Sequence, residues 1–259
     1  MNETGTRTSA FGNTIKSIAS VVGMAIIVAT LFTAAIPEEL FSSDFSARLA
    51  EAIQSQDESL DGWPTATPRP KPRIGIVAGH WGDTQDPGAV CPDGLTELSI
   101  NQKVAALVQN DLVAKGFDVK VLKEFDQRLE GYRALALVSI HADSCDYIND
   151  QATGFKVSAS KHNPRPERTA RMVNCIRSRY AQATGLDEHP GITADMSDYH
   201  AFGEINAETP AVIIETGFMN LDRQILTQNT DIIASGIADG ILCYIRNESI
   251  TLKPTPNEP

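Results

Sequence analysis

The chain is short of basic charge. Its 259 residues hold 22 Lys and Arg against 33 Asp and Glu, a net charge of −11. That balance argues against nucleic acid as the main partner, because phosphate binding needs clustered cations. Cysteine is scarce as well: the four residues Cys91, Cys145, Cys175 and Cys243 form no CxxC pair. A cysteine-rich zinc site is therefore not expected. No internal repeat is visible, which excludes a repeat array and leaves no separate surface-binding repeats. Histidine is limited to His80, His141, His162, His189 and His200, so any imidazole chemistry has few candidates.

What remains is ordinary for a folded protein, with 42% hydrophobic and 21% charged residues. Residues 1–17 are polar and precede an uncharged run at 18–36, IASVVGMAIIVATLFTAAI. Nineteen residues at about 1.5 Å each nearly span a hydrocarbon core of about 30 Å. Arg7 and Lys16 lie before the run and Glu38 and Glu39 after it. This asymmetry predicts a single-pass anchor with a cytoplasmic N-terminal segment and an exported remainder. A signal peptide cleaved near Thr33-Ala34-Ala35 is the alternative, with secretion as its consequence. Residues 37–72 read as an acidic stretch followed by a linker, whose last part holds Pro64, Pro68, Pro70 and Pro72.

From Arg73 onward apolar strand-like runs alternate with helical periodicity. Arg73–Ala78, Phe117–Leu122, Ala134–Ile140, Gly154–Ala159 and Ala211–Ile214 read as strands, with Ala201–Ile205 a further candidate. Leu98–Lys115, Pro166–Ala183, Leu221–Leu226 and Ile232–Ile245 read as helices, and Leu129–Ala134 as a short one. Alternation of this kind predicts an α/β fold: a twisted, mostly parallel sheet covered by helices on both faces. A single catalytic domain is expected over 73–247, with a flexible tail at 248–259.

Three of the strands run into chemically capable residues. Arg73–Ala78 leads through Gly79 to His80, Ala134–Ile140 leads to His141, and Ala211–Ile214 leads to Glu215. Ligands in open α/β sheets gather at the carboxyl ends of strands. Glu97, at the mouth of the first helix, is the natural third ligand, favoured there by the helix dipole. Two histidines and a carboxylate suit a catalytic zinc, which needs three protein ligands and an open position. Glu215 is left to act on the attacking water. A carboxylate at the end of an apolar strand is costly unless paired or functional.

The motifs Gly79-His80, Asp86-Pro-Gly-Ala-Val90, Leu95-Thr-Glu97, Ser139-Ile-His141-Ala-Asp143 and Glu215-Thr-Gly-Phe-Met-Asn220 resemble the zinc-dependent N-acetylmuramoyl-L-alanine amidases. The resemblance covers roughly residues 73–247. It implies His80, Glu97 and His141 as zinc ligands, Glu215 as the catalytic glutamate, and peptidoglycan as the substrate. The bond cut would be the amide between N-acetylmuramic acid and L-alanine. A zinc peptidase or deacylase acting on another amide, or a silent wall-binding module, are the competing readings. The sequence departs from the family in having Lys123 after the second strand where an arginine is usual, and in placing Trp81 beside the first histidine. Trp81 and His200 are candidate substrate contacts. The segment between Ser144 and Thr153 is too short for the blocking helix some relatives carry, so no activator protein is expected. Cys91 and Cys145, each near a ligand loop, could pair, whereas Cys175 and Cys243 read as small core residues.

Overall fold

The strands form because β-branched and apolar residues alternate onto two buried faces. The computed structural model describes residues 70–82 and 85–251, together with Ala47. The expected N-terminal segment 1–17, the anchor at 18–36, nearly all of the linker 37–72 and residues 252–259 of the tail lie outside the described residues. Among the described residues no helix is long and apolar enough to cross a membrane.

Five strands make one sheet: β1 (Arg73–Ala78), β2 (Asp118–Leu122), β3 (Leu137–Asp143), β4 (Lys156–Ser158) and β5 (Ala211–Phe218), in the order β2-β1-β3-β5-β4. All pairs are parallel except β4 with β5, so the mostly parallel sheet carries one antiparallel edge strand. The helices are α1 (Glu97–Ala114), α2 (Pro166–Thr184), α3 (Ala194–Ser197), α4 (Ala201–Glu204), α5 (Arg223–Gln228) and α6 (Thr230–Ile245).

The sheet is covered unevenly. Ile74, Ile76, Val138, Ile140, Val212 and Ile214 point to one side and pack with residues of the long helices α1, α2 and α6, such as Val104, Ile176 and Ile237. Residues of opposite parity, Val77, Leu137, Ala211 and Ile213, form a second, smaller cluster with Leu122, Leu129, Tyr132, Met196, Tyr199 and Ala201, against which Ala134, Phe202 and Ile205 pack. That second side is roofed by a 3₁₀ turn at Gln127–Leu129 and the one-turn helices α3 and α4.

Two sequence expectations change here. Ala201–Ile205 is not a strand: Ala201–Glu204 is a helical turn, held by the Ile205 N–H donating to the Ala201 carbonyl at 3.2 Å. The short helix expected at Leu129–Ala134 is the 3₁₀ turn just before it, capped by the Asp126 side chain. β3 and β5 also run further than their apolar cores, so His141 and Glu215 lie inside strands.

Cys175 and Cys243 are not separate core residues. Both are fully buried, and they join α2 to α6 in a disulfide. Two helical cysteines facing across a packed helix pair are indistinguishable in sequence from two apolar fillers. The second disulfide is Cys91–Cys145, as the loop positions allowed. It ties the loop before α1 to the loop after β3.

Candidate metal centre

At the carboxyl edge of the sheet, register brings side chains together. His141 on β3 pairs with Glu215 on β5, and Glu215 pairs with Lys156 on β4. Opposed residues share a face, so these three line up across three strands on the thinly roofed side. β1 ends one step away, and the turn at Gly79 delivers His80 with a left-handed backbone, φ 61°.

Glu97 reaches the same place from the helical side. Thr96 caps α1 by accepting the Ser99 N–H at 3.2 Å, and Glu97 opens the first turn. Its Oε1 lies 3.1 Å from His141 Nδ1 and its Oε2 3.2 Å from His80 Nε2. The N–H groups of Ala142 and Ala89 donate to the two carboxylate oxygens at 3.2 and 3.1 Å. Asn101, one turn along α1, donates Nδ2 to Glu97 Oε1 and to the Gly79 carbonyl, each at 3.2 Å. One ligand atom from each of His80, Glu97 and His141 lies within 4.8 Å of the others.

Two glycines are required by this crowding. A Cβ on Gly79 would stand 2.3 Å from His141 Cε1. A Cβ on Gly88, already at φ +66°, would stand 2.6 Å from Glu97 Oε2 and 2.7 Å from His80 Cδ2. The residues fit a metal: two imidazoles and one carboxylate are a donor set used by catalytic zinc, converging where no side chain could be accommodated.

The electrostatics agree. The hydrogen bond to Glu97 raises the His80 imidazole to about 9 against the opposing effect of burial, with Asp86 and Glu124 adding to the rise. Burial pushes the Glu97 carboxyl up, but His141 and His80 outweigh it and hold it far below the usual carboxylate range. His141 is raised too, its burial outweighed by Glu97, Glu215 and Glu124. The cluster thus holds protons where a dication would displace them. Burial pushes Glu215 up to about 7, with His141 and Lys156 opposing the rise and Glu97 and Asp143 reinforcing it. Glu215 Oε2 is shielded from solvent without a hydrogen-bond partner.

Of the two candidate substrate contacts, Trp81 is partly buried and packs against the long-helix core. His200 stacks on Phe125 at 4.3 Å, bonds Glu204 Oε1 through Nδ1 at 2.8 Å, and turns its shielded Nε2 toward Glu124. Several site residues carried no role in the sequence reading. Asp86 sits 2.9 Å from His80 Nδ1. Asn101 was detectable as a polar residue four positions after Glu97 on a face otherwise apolar. Buried Lys156, which ion-pairs with Asp143 and lies over the Phe218 ring at 4.7 Å, gave no signal. Nor did Glu124, which lies in a loop.

Comparison with known proteins bears on this arrangement. The family model described as N-acetylmuramoyl-L-alanine amidase matches residues 74–243. The N-acetylmuramoyl-L-alanine amidase AmiC of Neisseria meningitidis is 31% identical over 129 residues, 41% of this chain. The match covers 30% of that relative's length. Among solved structures, the amidase Ami1 of Mycobacterium smegmatis superposes with a TM-score of 0.56 at 19% identity, over 69% of this chain and 99% of its own. The CwlD amidase of Clostridioides difficile, solved in complex with the GerS lipoprotein, gives 0.55 at 19% identity, over 68% of this chain and 100% of its own. At such identities the two structures speak to the fold alone.

Proposed function

The chain belongs to the N-acetylmuramoyl-L-alanine amidase family, and from that premise we propose that it hydrolyses the amide between N-acetylmuramic acid and L-alanine in peptidoglycan, using zinc. The observation that carries the proposal is the convergence of His80, Glu97 and His141 within 4.8 Å, with Glu215 in register beside His141. His80, Glu97 and His141 would hold the zinc, which would supply Lewis-acid chemistry for the scissile carbonyl and the attacking water.

The remaining work falls to side chains. Glu215 accepts a proton from the attacking water and returns it to the leaving L-alanine nitrogen, which must be protonated for the bond to break. Burial, which favours the protonated form of Glu215, suits a carboxyl that must hold a proton between the two steps. Asn101 and the N–H groups of Ala142 and Ala89 hold Glu97 in place, and Asp86 holds the His80 ring.

We also propose a compartment for the chain. Two disulfides support an oxidising location outside the cytoplasm. This fits a catalytic domain over 73–247, exported behind a membrane anchor at 18–36, with 37–72 as its tether. Residues 144–155 between β3 and β4 form turns and bends and contain no helix. Activity without an activator protein is part of the proposal. The test is direct: the purified chain should carry one equivalent of zinc, and its release of L-alanine amino termini from cell walls should stop with a chelator and return with zinc. Undiminished activity in metal-free protein would refute the proposal.

A further inference from the structure

Glu124 lies in the loop after β2 and belongs to none of the motifs that place the chain in its family. It is nevertheless buried. Its contacts fall on both histidines of the candidate centre. Oε2 accepts the His80 backbone N–H at 2.5 Å, and the Glu124 N–H donates to the Trp81 carbonyl at 2.8 Å. The turn carrying His80 is therefore tied twice to one residue. That turn needs tying, because a left-handed backbone is strained at a residue with a Cβ, and His80 has φ 61°.

The second contact is with His141. Its Nδ1 faces Glu97, and its Nε2 is shielded and without a hydrogen-bond partner, with Glu124 Oε1 at 3.8 Å. His200 Nε2, likewise shielded, is 3.9 Å from the same oxygen. Both ring nitrogens thus face one carboxylate, to which the Tyr199 hydroxyl is a further donor. A carboxylate that accepts the far N–H of a ligand histidine fixes the ring's tautomer and orientation. An amide at this position would turn an NH₂ toward one of these donors.

We propose that Glu124 is a positioning residue for the metal centre: it locks the His80 turn by its backbone and holds His141 with Nε2 protonated, so that His80 Nε2 and His141 Nδ1 both face Glu97. The proposal rests on the zinc reading above. It makes Glu124, a residue outside the shared motifs, a determinant of how tightly this chain holds its metal.

The test is a titration of zinc-stripped full-length protein with zinc, in competition with a chromophoric chelator, for wild type, E124Q, E124D, H200A and H141A. Cobalt spectra on the same proteins report ligand geometry. E124Q preserves size and should bind zinc about 10–100-fold more weakly, with an altered cobalt spectrum. E124D keeps the charge one methylene further back and should fall between E124Q and wild type. H200A should stay within about threefold, since His200 flanks Glu124 without being a ligand. If E124Q and E124D both bind zinc within twofold of wild type with unchanged cobalt spectra, while H141A binds weakly, Glu124 is not a positioning residue and the zinc reading stands. If H141A also binds like wild type, the zinc reading itself fails. A Glu124 that served only general packing would lower the thermal stability of the metal-free protein and leave both metal readouts unmoved.

Discussion

Replacing Gly79 by alanine should damage the metal site while leaving the fold in place. The added Cβ would stand 2.3 Å from His141 Cε1 and 2.5 Å from both ring nitrogens. Carbon atoms in contact prefer about 3.5 Å or more, so one partner must move by roughly 1 Å. The backbone is poorly placed to do so. The Gly79 N–H donates to the Ile140 carbonyl at 3.0 Å, and the Gly79 carbonyl accepts from Asn101 at 3.2 Å. The imidazole must therefore retreat, by several times the ~0.2 Å over which metal–ligand distances are defined. Zinc affinity should fall by at least about 10–100-fold. Overpacking should lower stability by about 1–3 kcal/mol, a drop of roughly 2–12 °C in midpoint for a domain this size. The assay is chelator-competition titration of stripped protein beside thermal unfolding without zinc. A G79A variant that binds zinc within twofold of wild type would show that His141 is not a ligand through the nitrogen facing Glu97.

Further outcomes follow from the same geometry. Glu215→Gln should keep one equivalent of zinc and lose about 10²–10⁴-fold in turnover, as removal of a general base does; near-wild-type turnover would remove Glu215 from the mechanism. In stripped protein the His80 imidazole is raised from 6.5 to about 9, so its stabilising effect is complete below pH 6.5 and is lost as pH rises through 9. Thermal midpoints measured without metal should fall across that window, and a His80→Gln variant should lose the slope. Zinc binding at pH 7 should accordingly release protons, measurable by calorimetry in two buffers of different ionisation enthalpy. Replacing Cys91 and Cys145 together by serine should cost about 2–5 kcal/mol of stability and weaken zinc binding, because that bridge joins the Glu97 and His141 loops. Unchanged zinc affinity in the double variant would assign the bridge to stability alone.

Much of this was legible in the chain because its signals are local. The strand-then-histidine pattern at Arg73–His80 and the apolar run before Glu215 announce a sheet with reactive residues along one edge. Glu97 could be chosen because a helix start is recognisable from its periodicity. What stayed hidden depends on distant partners. Glu124 follows an alternating strand with nothing to distinguish it from a solvent-facing charge, and only the β1 turn folding over it makes it a buried acceptor. Lys156 opens a strand that reads as ordinary, yet it pairs with Asp143 across β5. The Cys175–Cys243 bridge required knowing that α2 and α6 pack side by side. The Ala201–Ile205 run reads as a strand but folds as a helical turn, because five residues are too few to separate the two by periodicity.

The measurement closest to the central claim is muropeptide analysis by mass spectrometry after digestion of purified peptidoglycan, comparing the native protein, the protein with chelator, the chelated protein given zinc, and Glu215→Gln. A zinc amidase of this family yields free stem peptides beginning at L-alanine and glycan whose lactyl groups end in carboxylate, only in the native and zinc-restored digests. Products cut within the stem peptide or the glycan, or the same products with chelator present, would contradict it.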